Sequence, residues 1–296
     1  MHHREARHPA SNRDSPFHWG ARTYVMAIVN VTPDSFSGDG VADNLDAALR
    51  RAEQAIDEGA DVLDVGGEST RPGAAAVAAD EELRRVIPVI EALAKRSPIP
   101  ISVDTYKADV AERAIGVGAT IVNDIWALRR DPRLAAVIAQ NGVFVVLMHN
   151  RLAVAEVGDL GGYYPRVNYA DVIQDVAGEL ERSVNLALAA GVDTSNLILD
   201  PGLGFGKTPA QSRELVRRLP ELRARLDFPL LVGPSRKSFA GLVTGSPPGD
   251  RLPETLAAMA LSIAGGADIV RVHDVAPAVR ACRVADAITR VTESPA

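Results

Sequence analysis

The sequence predicts an α/β protein built as a single-domain (β/α)8, or TIM, barrel, and three observations carry that prediction. Eight short apolar runs rich in Val and Ile recur along the chain, helix-period segments separate them, and no Pro/Ser-rich linker divides it midway. Strands alternating with helices give parallel βαβ units, whose strands are apolar throughout because helices cover the sheet. Eight repeats suit a closed barrel, whereas an open doubly wound sheet more usually stops at about five or six strands.

The apolar runs are 24–29, 62–65, 99–103, 120–122, 143–148, 197–199, 229–232 and 268–272. Their shortness and β-branched content mark them as strands. The clearest helical segments are 44–58, 80–95, 107–117, 131–140, 170–190, 211–226, 253–264 and 276–291. Gly59, Gly118, Gly142, Gly191 and Gly265 fall where a helix C-cap favours glycine. Residues 1–20 are polar and hold His2, His3, His8 and His18, so they are expected to be a disordered extension before a barrel spanning 21–296.

Composition narrows the function classes. A chain of 296 residues, 47% hydrophobic and 24% charged, is an ordinary globular protein with a sizeable core. A net charge of −6, a pI near 5.6 and no basic arm give no reason to expect nucleic acid. No apolar run approaches the roughly 20 residues of a membrane span, and the N-terminus lacks the apolar core of a signal peptide. The single cysteine, Cys282, forms no intramolecular disulfide and reads as a small core hydrophobe on the last helix, so a reducing, cytoplasmic setting is expected.

The chemistry is organised around Leu197-Ile198-Leu199-Asp200-Pro201-Gly202-Leu203-Gly204-Phe205-Gly206-Lys207-Thr208. An apolar strand here delivers a carboxylate into a glycine-rich turn, which costs several kcal/mol unless a partner or ligand meets it. A P-loop would need four residues between its first Gly and the Gly-Lys pair, and only three separate Gly202 from Gly206. Ligands of a barrel bind at the C-terminal strand ends. Those ends carry Asn30, the 66–73 loop, Asp104, Asn123-Asp124, His149-Asn150, Asp200, Ser235-Arg236-Lys237, and Arg271 with His273, and every one is polar. Each alone could be a cap or loop hydrogen bond, but eight polar ends on apolar strands imply a shared ligand face. Arg71, Lys237, Arg271 and His273 suit phosphate oxygens, and Asn30 suits a hard cation such as Mg²⁺. Asp104, Asn123 and Asp200 suit the edge of a nitrogen heterocycle.

These same residues carry a family resemblance. Asn30-Val31-Thr32-Pro33-Asp34-Ser35-Phe36-Ser37, Gly67-Glu68-Ser69-Thr70-Arg71-Pro72-Gly73, Ser102-Val103-Asp104-Thr105, Asn123-Asp124, the Asp200 to Lys207 loop, Ser235-Arg236-Lys237-Ser238-Phe239 and Arg271-Val272-His273-Asp274-Val275 resemble, in order, the motifs of the bacterial dihydropteroate synthases, which are pterin-binding enzymes. The resemblance runs from about Tyr24 to the last helix. It implies a (β/α)8 barrel that joins 6-hydroxymethyl-7,8-dihydropterin pyrophosphate to 4-aminobenzoate, giving 7,8-dihydropteroate and pyrophosphate in folate synthesis. It implies that Asp104, Asn123, Asp200 and Lys237 hold the pterin, with Met148, Phe205 and Gly233 lining its slot and Arg271 stacking on one face. Asn30, Arg71, Arg271 and His273 would meet the pyrophosphate and its Mg²⁺, with Asn30 as the metal ligand. Phe36, Thr70, Arg71, Pro72 and Ser235 would surround the aminobenzoate, where sulfonamides compete. Among these, Lys237, Arg271, His273, Asp104 and Asp200 would carry catalysis, with no covalent enzyme intermediate. A homodimer is expected, with the closing helices as a candidate interface.

Two departures from the family pattern stand out. Gly38-Asp39-Gly40 moves a carboxylate one place along the first loop, and Pro253-Glu254-Thr255 stands where the family often has Gly before the Thr of the helix start. Pro fits the first turn of a helix, so only a local change is expected there. A methyltetrahydrofolate-dependent corrinoid methyltransferase shares the barrel but gives no reason for the Ser69-Thr70-Arg71-Pro72 and Ser235-Arg236-Lys237 pairings. A silent pterin-binding paralogue has only the displaced Asp39 in its favour.

Overall fold

The computed structural model describes residues 15–31, 41–69, 76–151, 167–247 and 249–290. Its elements run β1 (Tyr24–Asn30), α1 (Val41–Asp57), β2 (Val62–Gly66), α2 (Ala79–Arg96), β3 (Ile101–Asp104), α3 (Ala108–Gly116), β4 (Ile121–Asp124), α4 (Leu134–Asn141) and β5 (Phe144–Met148). They continue with α5 (Val172–Ala189), β6 (Leu197–Asp200), α6 (Pro209–Arg217), α7 (Leu219–Leu226), β7 (Leu231–Val232), α8 (Ser238–Thr244), α9 (Leu252–Ala264), β8 (Ile269–Val272) and α10 (Val275–Thr289). The eight strands are parallel, in the order β6-β5-β4-β3-β2-β1-β8-β7, and a bridge between Leu199 and Leu230 joins the two edges into a barrel.

All eight expected strands form. The expected helix 211–226 is instead two, α6 and α7, because Pro220 sits in the first turn of the second and the chain bends at Arg218. The short α8 forms where the sequence pattern predicts no helix. Gly59, Gly118, Gly142 and Gly191 adopt positive φ at helix ends, but after α9 it is Gly266, at φ 98°, and not Gly265 that turns left-handed. Pro253 lies in the first turn of α9, as its type predicts.

Strand alternation divides each strand between the helical shell and the barrel interior. Facing the shell, Leu63, Val65, Val103, Leu147 and Leu199 pack with Val86, Val89, Ile90 and Leu93 of α2 and their counterparts on other helices. Facing inward, Met26, Val62, Ile121, Val146, Ile198, Leu231 and Ile269 form an apolar layer across the lower barrel. Each large side chain buried this way contributes about 1.5–3 kcal/mol. Above that layer the interior changes character: the next inward residues include Asp64, Ser102, Asn123, Asp200 and Arg271. A dry floor under polar walls is what places a site at one end only.

The floor is finished by the leader. The expected disordered extension through residue 20 is corrected from residue 15 onward, because Phe17 is 1% exposed and seals the N-terminal end of the barrel; residues 1–14 lie outside the described residues. Its ring stacks on Trp19 and meets Tyr24 and Phe144 edge-on at 5.1 and 5.3 Å. The sequence signal was present as two aromatics, Phe17 and Trp19, in an otherwise polar leader. Phe17→Ala is expected to lower stability by about 3–5 kcal/mol, the usual result of truncating a buried Phe. Denaturant unfolding measures this, and unchanged KM values in the folded fraction distinguish a floor residue from a site residue.

Candidate functional site

The site occupies the C-terminal end of the barrel, and strand register sets its height. Asn30 pairs with Gly66, Gly66 with Asp104, and Asp104 with Asn123, so these four lie side by side on β1 to β4. Across the mouth, Met148 pairs with Asp200. Gly66 lacks a side chain where a Cβ would come within 3.4 Å of the Asp104 Cβ, which leaves Asp104 room to lean inward.

Arg271 on β8 ties the two walls together. Its Nε donates to Asp64 Oδ2 at 2.6 Å and its Nη2 to Asp104 Oδ2 at 2.7 Å, so the guanidinium plane is held from two sides. Burial lowers the guanidinium pKa, but Asp64 and Asp104 outweigh it, so the side chain stays charged. Asn123 Nδ2 donates to the same Asp64 oxygen at 3.1 Å. Asp64 is fully buried, and the sequence reading gave it no role, although a carboxylate inside Val62-Leu63-Asp64-Val65 is the same signal that marked Asp200. Burial pushes the Asp104 carboxyl up to about 7, against the pull of Arg271.

On the opposite wall, Lys237 reaches the site from the loop after β7. Its Nζ donates to Leu203 O at 2.6 Å and stands 4.9 Å from the centre of the Phe205 ring. A Cβ on Gly233 would lie 3.6 Å from that Nζ and 3.8 Å from the Arg271 Cβ, so the missing side chain leaves a slot between the two cations. Burial pulls Lys237 down to about 8 and pushes Asp200 up, and each opposes the other's shift. Phe205 and Met148 pack together with Tyr106, Ile125 and Trp126 as an apolar lining. Ser235 and His273 meet each other, with Ser235 Oγ 2.9 Å from His273 Nδ1 and accepting from the His273 backbone N–H.

The structure therefore brings together Asp104, Asn123, Met148, Asp200, Phe205, Gly233, Lys237 and Arg271, with Ser235 and His273 paired on the β7–β8 side and Asn30 at the end of β1. Phe36, Asp39, Thr70, Arg71 and Pro72 lie outside the described residues. Several other polar strand ends are taken up by partners within the protein. Asp124 accepts from the backbone N–H groups of Trp126 and Leu128 at 2.8 and 2.6 Å, bracing a turn in which Ala127 and Leu128 have positive φ. Arg236 pairs with Asp274, and Glu68 with Lys107.

Lys207 resolves the glycine-rich loop. It is buried, and its Nζ reaches Gly202 O and Phe205 O at 3.0 Å and His149 Nδ1 at 2.8 Å. His149 Nε2 in turn meets Glu179 at 3.0 Å, so the imidazole donates there and accepts from Lys207. Burial and Lys207 hold His149 down at about 3, which keeps it neutral. Thr208 and Gln211 form a capping box for α6. The lysine is thus an internal strut and the threonine a helix cap, in keeping with the rejected P-loop.

Chemically, Asp64, Asp104 and Asp200 face Arg271 and Lys237 in a low-dielectric mouth, an excess of negative charge that favours a cation forming there. Among the described residues no group of three or more His, Cys, Asp or Glu could cage a metal. A single carboxamide such as Asn30 can still serve Mg²⁺, which usually takes one or two protein oxygens together with substrate phosphates.

Comparison with known proteins agrees with this architecture. The sequence signature of the pterin binding enzymes matches residues 26–273. A dihydropteroate synthase of Bacillus subtilis is 47% identical, over 93% of this chain and 92% of its own. A Clostridium difficile dihydropteroate synthase crystallised in the presence of pteroic acid superposes with a TM-score of 0.86 at 47% identity, covering 93% of this chain and all of that one. A Yersinia pestis dihydropteroate synthase in complex with a sulfonamide drug superposes with a TM-score of 0.85 at 40% identity, covering 95% and 98%. The chain belongs to the pterin binding enzyme family, among its dihydropteroate synthases.

Proposed function

We infer that the chain condenses 6-hydroxymethyl-7,8-dihydropterin pyrophosphate with 4-aminobenzoate, releasing 7,8-dihydropteroate and pyrophosphate for folate synthesis. The observation that carries this reading is the convergence of Asp104, Asn123, Asp200, Lys237 and Arg271 on one mouth above a sealed apolar floor. Asp104, Asn123 and Asp200 present acceptors and a carboxamide to the edge of the pterin, while Phe205, Met148 and the Gly233 slot admit its flat ring. Arg271, pinned by two carboxylates, lies against one ring face. As the C–O bond to pyrophosphate breaks, positive charge develops on the pterin methylene, and Asp104 and Asp200 stabilise it electrostatically. Lys237, Arg271 and His273 offer donors to ring and leaving group, so the residues position and polarise without forming a bond to substrate.

Mg²⁺, when bound through Asn30 and the pyrophosphate, would neutralise the leaving anion. The aminobenzoate would lie toward Ser235 and the loops bearing Phe36, Thr70, Arg71 and Pro72, and sulfonamides would compete there because they share its aniline end. Pyrophosphate release that requires both Mg²⁺ and 4-aminobenzoate supports this function. Pterin binding without release would instead indicate the silent paralogue. The methyltransferase reading has no observation in its favour.

The pKa shifts set a pH window. An acid whose pKa is raised is ionised only above it, so Asp104 gains its charge as pH rises through about 7. An amine whose pKa is lowered loses its charge earlier, so Lys237 neutralises as pH rises through about 8. The expected kcat/KM profile is a bell with those two limbs, read as apparent values of interacting groups. Lys237→Arg is expected to move the alkaline limb upward; a profile flat from about pH 6 to 9 would contradict the assignment of both groups.

No helix among the described residues is long and apolar enough to cross a membrane, and the proposed cytoplasmic location rests on the single buried Cys282. A homodimer is supported by Leu261 on α9 with Val284 and Ile288 on α10, each more than 60% exposed. Light scattering of the purified chain is expected to give twice the monomer mass of 31.4 kDa, and a monomer at micromolar concentration would contradict it.

A further inference from the structure

The proposed heterocycle site contains one side chain whose hydrogen-bonding sense matters and whose orientation nothing in the ligand fixes beforehand. An Asn amide presents either an oxygen, which accepts, or an NH₂ group, which donates. In this barrel the choice is made from below. Asp64 Oδ2 already accepts from Arg271 Nε at 2.6 Å, so it can offer nothing but a lone pair to Asn123, which must turn its Nδ2 toward it at 3.1 Å. The Asn123 oxygen then faces the mouth, and among the described residues no hydrogen bond to it is made.

Asp64 serves little else. It is 0% exposed, and among the described residues its other oxygen, Oδ1, has no hydrogen-bond partner, as is also true of Ser102 Oγ on the register-paired residue of β3. A carboxylate present only to neutralise Arg271 would be redundant with Asp104, which holds the same guanidinium through Nη2 at 2.7 Å. What Asp64 alone does is hold Nε and the Asn123 amide at a common oxygen.

We propose that Asp64 is a specificity-determining positioning residue: it locks Asn123 as an acceptor and thereby selects heterocycles that present an amino or ring N–H group over those that present a carbonyl at the same place. This rests on the pterin reading above. If Asp64 is removed, the Arg271 Nε loses its acceptor. Arg271 Nε and the Asn123 amide share that one oxygen, at 2.6 and 3.1 Å, so with it gone the amide is expected to turn its own oxygen toward the cation and offer its NH₂ to the ligand. An acceptor that remains at that position prevents the turn whether or not it is charged, so Asp64→Asn, with its carbonyl oxygen in place of Oδ2, keeps the lock.

The test compares binding of a pterin with binding of the corresponding lumazine, which carries oxygen in place of the 2-amino group, by calorimetry. Wild type is expected to prefer the pterin. Asp64→Ala is expected to reduce the pterin-to-lumazine affinity ratio at least tenfold, whereas Asp64→Asn weakens both ligands yet keeps the ratio within about threefold of wild type, since only a bonding pattern, and not general damage, changes a ratio. An Asp64→Ala protein that binds both more weakly at an unchanged ratio would overturn the proposal while leaving the pterin site intact. A wild type with no preference would overturn this proposal and the pterin reading together. Should Asp64→Ala not fold, a neutron structure of the wild-type complex decides: deuterium on the Asn123 atom nearest Asp64 supports the lock, and deuterium on the atom nearest the ring refutes it.

Discussion

Asp200→Asn is expected to lower kcat/KM by about 10²–10³-fold, the usual loss when one preorganised electrostatic group is removed from a transition state, while the melting temperature moves by no more than about 4 °C. The asymmetry follows from the local chemistry. Asp200 is buried, and burial raises its pKa, so the ionised form is held at a cost to the fold and offset mainly by Lys237. Asparagine keeps the oxygen that accepts from the Gly202 N–H at 2.7 Å and so preserves the turn. What it removes is the charge that would face the developing methylene cation. Lys237→Ala is expected to behave likewise: the Leu203 carbonyl and the Phe205 ring that its Nζ meets do not need it to stay folded, and Asp200, whose charge it offsets, can take up a proton in its absence. Thermal melts beside steady-state kinetics separate the two effects. Variants that unfold in proportion to their lost activity would make both residues structural.

Gly202→Ala is expected to do the reverse, costing about 3 kcal/mol or more and leaving little folded protein. Gly202 has φ +67°, and a Cβ there would sit 1.9 Å from the His149 carbonyl oxygen and 3.0 Å from its carbon. Left-handed backbone alone costs an alanine about 1–2 kcal/mol. The clash adds more, because the His149 carbonyl is fixed: the His149 backbone N–H donates to Asp200 O at 2.8 Å, and the His149 ring is held by Lys207 and Glu179. Relieving it would move the end of β5 and the loop that carries Phe205. Urea unfolding measures the loss, and a variant as stable as wild type would show that the loop can shift without the strand.

Much of the fold was legible because eight buried parallel strands produce eight predominantly apolar runs, and little else does. The split of 211–226 at Arg218 was less so, since α6 and α7 share one apolar period across the bend. The site was legible at its strand ends but not in its parity. Asn123 and Asp124 are adjacent and equally polar, yet alternation sends one into the mouth and the other into a turn. Met148 faces in and His149 out for the same reason. Asp64 was hidden in the opposite way: it sits two residues before the end of β2, inside an apolar run and away from the polar strand ends. Lys207 could not be placed from sequence, because whether a lysine after a glycine-rich loop meets an anion or its own backbone carbonyls depends on where the loop folds. Phe17 was hidden by its surroundings, a polar leader in which one buried ring is outvoted by its neighbours.

The proposed function requires one polar mouth on this barrel to take both the pterin and the pyrophosphate. A crystal structure of the chain soaked with a pterin and pyrophosphate tests it most directly. The ring is expected in the slot beside Gly233 and Phe205, its edge on Asp104, Asn123 and Asp200, with the anion toward Asn30 and His273. A ring bound instead in the separate cavity of about 180 Å³ beside Arg129, Glu179 and Arg182, with the mouth empty, would contradict it.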